Sequence, residues 1–380
     1  MKSSELTKRY RYGLEADEGA TPREHGRGQP PAGALMRRKP VKVAFGQLVL
    51  PGPWGGGNQF VTNLAAALKE RGDSVVYDLA EPGLDIILMI DPRSRNPAVT
   101  FTPGQVQRAI LGRRTEALVI HRINECDQRK GTRTMNLRLR LANTIADHTV
   151  FIGSWLRDLR VWQRGTPATV ILNGADVRIF NAEGLRPWDG VEPLRLVTHH
   201  WGGHEFKGFD VYRRIDAMLA EEEWKDRIQF TYIGNLPSGF TFTTARHLPP
   251  RDGPALAEVL RNRHVYVTAS INEPAGMHHI EGALCGLPVL YRDSGALPEY
   301  CAGFGEVFTG PDDFETALRA MMKNYLGWAE QIAAYPYTAS RMCRSYLALF
   351  DDLMARRDEI VARRRPWHHP FALALNQVPW

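Results

Sequence analysis

The sequence contains no run of about twenty uninterrupted apolar residues, the length a helix needs to cross a bilayer, and no apolar segment follows Lys2, Glu5, Lys8 and Arg9 as it would in a secretory signal. Neither a membrane-spanning helix nor export is therefore expected. Cysteine is scarce: Cys126, Cys285, Cys301 and Cys343 are scattered without any CxxC spacing. That excludes a disulfide framework and points to a reducing cytoplasm. No long basic run is present either, because the net charge of +6 is spread over arginines. Such a field favours anionic partners without choosing between nucleic acid, an anionic lipid surface and a phosphorylated small molecule. Aromatic residues make up 9% of the chain and form no stacking pattern, so nucleic acid is not expected. His199, His200, His204, His278, His279, His368 and His369 lack the supporting ligand spacing of a zinc site, so neither a metal nor a cofactor is expected.

What is present fits a folded protein of two domains. The chain has 380 residues, 43% of them hydrophobic and 24% charged, enough for a core in each half. Residues 1–40, rich in Gly, Pro, Arg and Glu, read as a disordered leader. From Val41 short apolar runs alternate with helical patterns: Val41 to Phe45, Ser74 to Tyr77, Asp85 to Ile90, Ala117 to Ile120, Thr149 to Ile152 and Thr169 to Leu172. Apolar strands separated by helices imply a parallel sheet, here over residues 41–183. The breaker-rich stretch from Asn181 to Pro193 carries a linker at 184–193. A second alternating series follows, with Leu194 to Thr198, Ile228 to Ile233, His264 to Ala269 and Pro288 to Tyr291 as strands of a domain spanning 194–345. Residues 346–380 form a C-terminal helix and tail expected to pack back towards the first domain, the tail beyond Pro366 being non-helical. The fold class is α/β, with two Rossmann-like domains facing across a central cleft.

The most informative stretch is INEPAGMHHIEGALCGLPVLYRDSGALPEY, Ile271 to Tyr300. It follows an apolar strand, and Pro274 with the spacing of Met277, Ile280 and Leu284 predicts a helix from near Glu273 to Gly286. In an α/β sheet the loop after a strand and the next helix N-terminus form the ligand crevice. An anionic group is thus expected at Ala275, Gly276 and Met277. Glu273 is suited to accept hydrogen bonds from neutral hydroxyls. Glu281, about 12 Å further along such a helix, could hold the other end of one elongated ligand.

Glu273, seven residues and Glu281, with the following EGALCGLPVLYRDSGALPEY, resemble the retaining GT-B glycosyltransferases of family 4. The resemblance spans about Val41 to Tyr346. It implies transfer of a sugar from a nucleotide-sugar donor to a saccharide, lipid-linked or small-molecule acceptor with retention of anomeric configuration, as in polysaccharide biosynthesis. It places Glu273 on the donor sugar, Glu281 on the nucleotide ribose, and Ser294 and Gly295 in the turn beside the donor. The turn PGPWGGGN is similar to the family's first-domain loop, assigning Gly55, Gly56, Gly57 and Asn58 to the acceptor side of the cleft. His121, at the end of its apolar run, faces the reacting sugar in this reading, with Asn124 and Asp127 nearby; VILNGADVRIF, around Asn173, Gly174 and Asp176, resembles the entry to the linker. THHWGGHEFKGFDVY is similar to the family's strand-to-KG passage, with Lys207 on the donor pyrophosphate and His200 on the donor side. Most members carry an arginine about five residues before that lysine, where this chain has Gly202.

Beside glycosyl transfer stand a binding or scaffold protein that kept the fold, for which the absent arginine speaks, and a same-fold enzyme that epimerises or phosphorolyses sugars. A nicotinamide-dependent oxidoreductase is disfavoured because the first turn lacks the GxGxxG order. Arg356, Arg357, Arg363, Arg364 and Arg365 complement the C-terminal dipole of the last helix. Their alternative role is peripheral contact with an anionic membrane face that carries a lipid-linked acceptor.

Overall fold

A computed structural model describes residues 38–52, 55–113, 115–365 and 368–378. The expected leader, up to residue 37, lies outside the described residues, as do Pro53 and Trp54 of the glycine-rich turn and residues 366, 367, 379 and 380 of the tail. Val41 onwards forms two parallel six-stranded sheets. In the first, β1 (Lys42–Phe45), β2 (Ser74–Val76), β3 (Ile86–Met89), β4 (Leu118–Ile123), β5 (His148–Phe151) and β6 (Ala168–Val170) lie in the order β2-β1-β3-β4-β5-β6. In the second, β7 (Leu194–His200), β8 (Ile228–Gly234), β9 (Arg246–Leu248), β10 (Val265–Thr268), β11 (Val289–Arg292) and β12 (Gly305–Phe308) lie in the order β12-β11-β10-β7-β8-β9.

Strands β3, β5, β10 and β11 are buried along their whole length. Being buried on both faces, they read as mainly apolar runs without strict alternation, β5 and β11 burying His148, Thr149 and Arg292 among them. Helix α1 (Gly55–Glu70) buries Phe60, Val61, Leu64 and Leu68 on the first sheet. Helices α2 (Pro103–Arg113) and α3 (Met135–Asn143) complete that domain, and α4 (Phe209–Met218), α5 (Gly253–Arg261), α6 (His278–Leu284) and α7 (Leu297–Cys301) flank the second sheet. Helix α8 (Pro311–Ile332) starts with Pro311 in its first turn, and the Asp313 carboxylate accepts from the Gly310 amide at 2.9 Å. Asp313 satisfies a donor that the helix itself leaves unpaired, and Pro311, having no N–H, removes one.

The chain crosses between the domains twice, after β6 and after α8, and the crossings lie side by side. The Ala339 amide donates to the Ala175 carbonyl at 2.7 Å. Helix α9 (Ala339–Ala355) begins there, with the Thr338 hydroxyl accepting from the Arg341 amide. Its Met342, Tyr346, Phe350 and Leu353 join Val43, Phe45 and Leu64 in the core of the first domain. Helix α10 (Arg357–Arg363) continues it, and α11 (Pro370–Leu375) buries Ala372 and Leu373. The tail, expected to be non-helical, therefore contains a helical turn and a half.

A larger correction concerns the Glu273 segment. Residues 273–277 form a loop, and the helix begins only at His278. Asn272, the one described non-glycine residue with positive φ, at 52°, turns the chain out of β10, and Pro274 follows in the loop rather than in a helical turn. The apolar spacing from Met277 onward is helical, but nothing before it is.

Candidate active site

Both sheets reverse strand order at one place, between β1 and β3 in the first and between β7 and β10 in the second. Diverging connections leave a crevice outside the carboxyl ends of the strands at such a point. The two crevices face each other across a cleft of about 790 Å³. The first domain lines it with Gln47, Gly55 to Gln59, Asp91, Arg93, Asn124, Glu125, Arg129 and Lys130. The second contributes His199, His200, Lys207, Glu273, Gly276, Met277, His278 and Glu281.

At the centre is a buried ionic cluster. Lys207 Nζ donates to Glu273 Oε2 at 2.7 Å, with both side chains almost wholly buried. Arg129, from the opposite domain, brings its Nε within 4.0 Å of Glu273 Oε1 and is held by Glu125 at 2.8 Å. Burial alone would raise the Glu273 pKa, but Lys207 and Arg129 overcome it and hold the carboxyl well below the usual range. Glu273 is thus ionised and can only accept hydrogen bonds. Burial, with Arg129 nearby, lowers the Lys207 pKa while Glu273 opposes the shift.

Local backbone chemistry explains how these two groups are aimed. Lys207 ends a 3₁₀ turn, and Gly208 after it has φ of 95°. A Cβ on Gly208 would sit 2.4 Å from Ala269, so only glycine lets this turn press against the end of β10. Glu273 is clamped from behind by the turn after β11: the Ala296 amide donates to the Glu273 carbonyl at 2.9 Å, and Ser294 Oγ accepts from the Asn272 amide at 2.8 Å. Gly295, φ 63°, would place a Cβ 2.4 Å from the Glu273 carbonyl oxygen.

Glu281 lies in the same cleft on α6. One carboxylate oxygen is 2.5 Å from His199 Nε2, at the end of β7; the other accepts from Gln59 Nε2 of α1 at 2.5 Å. His199 Nδ1 lies 3.0 Å from the Tyr266 hydroxyl. Glu281 is therefore gripped from both domains.

Neutral histidines surround these charges. His200 is buried, with Nε2 2.7 Å from the Tyr212 hydroxyl, and its ring centroid is 4.6 Å from that of His278. His278 Nε2 lies 2.8 Å from Thr268 Oγ1. Burial, then Lys207 and the neighbouring rings, push the His200 pKa well below its ordinary value; burial, then His200 and His279, do the same for His278. Burial takes His279 down to about 3 and, with Lys207 beside it, His204 to about 4.

Solved structures match this architecture over most of its length. The chain is similar to sucrose-phosphate synthase from Thermosynechococcus elongatus (TM-score 0.58, 13% identity, covering 83% of this chain and 99% of that one). It is similar also to Anabaena Alr3699/HepE in complex with UDP (TM-score 0.61, 12% identity, 82% and 100% covered). A third is the catalytic domain of starch synthase IV from Arabidopsis thaliana bound to ADP and acarbose (TM-score 0.59, 14% identity, 83% and 99% covered). The fold is GT-B. No family model and no curated protein matches the chain.

Within the GT-B cleft, Glu273, Lys207, Glu281, His200, Gly276, Met277, Asn124 and Gly55 to Asn58 line one space. The glycine segment opens α1 and lies directly against the second domain: a Cβ on Gly56 would be 2.5 Å from Met277 Cγ. Asn58 is spent on its own loop, with its side-chain amide bonded to both the amide and the carbonyl of Leu50.

Five other expected site residues lie off the cleft. His121 does not end its strand, because β4 runs on to Ile123. It is fully buried, its Nδ1 3.2 Å from Asn143 Nδ2, and burial lowers its pKa to about 3. Asp127 faces the start of α3, accepting from the Met135 amide at 2.8 Å, the Asn136 amide at 3.0 Å and the Thr132 hydroxyl at 2.6 Å. Ser294 and Gly295 support the Glu273 loop from behind rather than facing the cleft. Ala275 is buried, and its carbonyl accepts from Asn173 Nδ2 at 2.8 Å, which ties the loop to the first domain.

Arg129 and Gln59 carry no signal of their own in the sequence, and His199 enters the sequence reading only among the histidines set aside as metal ligands. Arg129 lies two residues after Asp127 and stands beside the lysine whose expected arginine companion is absent. Among the described residues no group of three His, Cys, Asp or Glu is placed to hold a metal ion, and no helix is long and apolar enough to cross a membrane.

Proposed function

We propose that this protein transfers a glycosyl group from a nucleoside diphosphate sugar to a saccharide or lipid-linked acceptor, with retention of anomeric configuration. The observation that carries the reading is the buried Lys207–Glu273 pair, with the partly buried Arg129 beside it, at the crevice where the two domains face each other. A diphosphate leaving group gathers negative charge as the glycosidic bond breaks, and cations already fixed in a water-poor site stabilise that charge without reorganising. Lys207 supplies a compact cation and Arg129 a planar fork, so the charge is met without a divalent ion. Arg129 takes the place of the arginine that the strand-to-KG passage lacks.

Glu273, kept ionised by those cations, accepts hydrogen bonds from the hydroxyls of the transferred sugar. Glu281 accepts from the ribose, whose hydroxyls replace the Gln59 amide. UDP and ADP occupy the solved structures of HepE and starch synthase IV, which favours a uridine or adenosine diphosphate sugar as donor. Because Arg129 and Gln59 come from one domain and Lys207, Glu273 and Glu281 from the other, the donor site is complete only when the cleft is closed.

A thermal-shift screen of nucleotide sugars identifies the donor, since a ligand at about 100 times its Kd adds roughly 2.7 kcal/mol to the folded state. The Glu273→Gln variant should then lose about two to three orders of magnitude in turnover, with the donor still bound. NMR of the product reports the anomer. Full turnover in Glu273→Gln refutes the role of this residue. Nucleotide binding without transfer assigns a silent binding protein, and a changed sugar nucleotide without acceptor assigns an epimerase.

A further inference from the structure

A second cavity, of about 410 Å³, lies between the β9 edge of the second sheet and α5. Arg195 of β7, Arg246 of β9, Arg251 of the following loop and Arg263 after α5 line it, opposed by the single carboxylate of Glu258. Four cations share one concavity. Arg195 is partnered by Glu192 at 3.0 Å and by His264, whose Nε2 is 2.6 Å away. Arg246, Arg251 and Arg263 form no ion pair with a described carboxylate. The Nε atoms of Arg195 and Arg263 are buried without a hydrogen-bond partner. Burial, then the nearby Arg246 and Arg195, lowers the Arg263 pKa, so these charges repel one another.

Buried guanidinium donors without acceptors, beside unpaired like charges, are costly unless an anion meets them. We propose that this cavity is a phosphate-binding site for a small phosphorylated sugar, separate from the donor site. Arginine forks match the paired oxygens of a phosphate monoester. The volume falls within the range of small-ligand pockets, about 300–1,000 Å³. Leu248 and Val259 are the apolar residues lining it; with no aromatic face for a nucleobase to stack on, a sugar phosphate suits it better than a nucleotide. Arg251 also lines the donor cleft, so an occupant here engages a cation that the cleft shares.

Calorimetric titration of the full-length protein, at constant ionic strength, with a hexose 6-phosphate, inorganic phosphate and the neutral hexose tests the site. Saturable binding of the phosphorylated compound is expected, with none for the neutral hexose. Arg246→Gln, at an exposed position, and Arg263→Gln should each weaken it at least tenfold. Lys207→Gln, in the cleft, should leave it unchanged. Tighter binding of the hexose phosphate than of phosphate assigns the sugar as part of the ligand; equal binding assigns the phosphate alone, and both uphold the site. Absence of binding overturns the proposal, as does affinity lost in Lys207→Gln but kept in Arg246→Gln. Because Arg246 is exposed, its variant remains informative even if Arg263→Gln lowers stability.

Discussion

Lowering the pH from about 7.5 to about 5.5 should remove roughly 5–6 kcal/mol of folding stability through four histidines alone. His121, His200, His278 and His279 are each at least nine-tenths buried, and burial is the leading cause that keeps each neutral well below its ordinary pKa. In the unfolded chain they titrate near 6.5. Between that value and the depressed folded values the unfolded state binds more protons, so stability rises with pH; it is full above about 6.5 and is lost as pH falls. One unit below 6.5 each histidine costs about 1.4 kcal/mol, and four such costs reach the scale of a whole protein's stability, about 5–15 kcal/mol. Urea unfolding followed by tryptophan fluorescence at stepped pH measures the slope. His279→Leu should reduce it by one proton, because both ring nitrogens of His279 lack partners and the substitution breaks no hydrogen bond. A midpoint that stays level down to about pH 5.5, or an unchanged slope in His279→Leu, would refute the reasoning.

Gly295→Ala should cost about 1–3 kcal/mol and impair transfer, since the added methyl meets the Glu273 backbone at 2.4 and 2.5 Å; thermal melts and turnover in the same preparation test both effects. Glu281→Gln should raise the donor KM about tenfold, or about 1.4 kcal/mol, with kcat little changed, as steady-state kinetics will report. The four cysteines are buried, and burial pushes the Cys126 and Cys285 thiols up to about 12 and Cys343 to about 11. A colorimetric thiol reagent near pH 8 should therefore react only as the protein unfolds; rapid labelling of the native protein would contradict this burial.

The sequence by itself determined the two sheets, because a strand covered on both faces is mostly apolar, and runs such as Asp85 to Ile90 and Pro288 to Tyr291 carry that signature. It failed at β9 and β12, whose residues are partly exposed near or at the sheet edges and carry no such run. It also determined that Glu273 and Glu281 follow a strand, and hence lie at a crevice. Only the tertiary structure decided what each side chain meets. Two more residues of β4 moved His121 from the strand's end into the interior, and one positive φ at Asn272 made a loop where spacing suggested a helix. Gln59 reaches Glu281, and Arg129 reaches Glu273, across the gap between two domains. Local periodicity reports which face of an element is buried; it carries no information about which distant residue waits there, because that is set by how the two sheets are brought face to face.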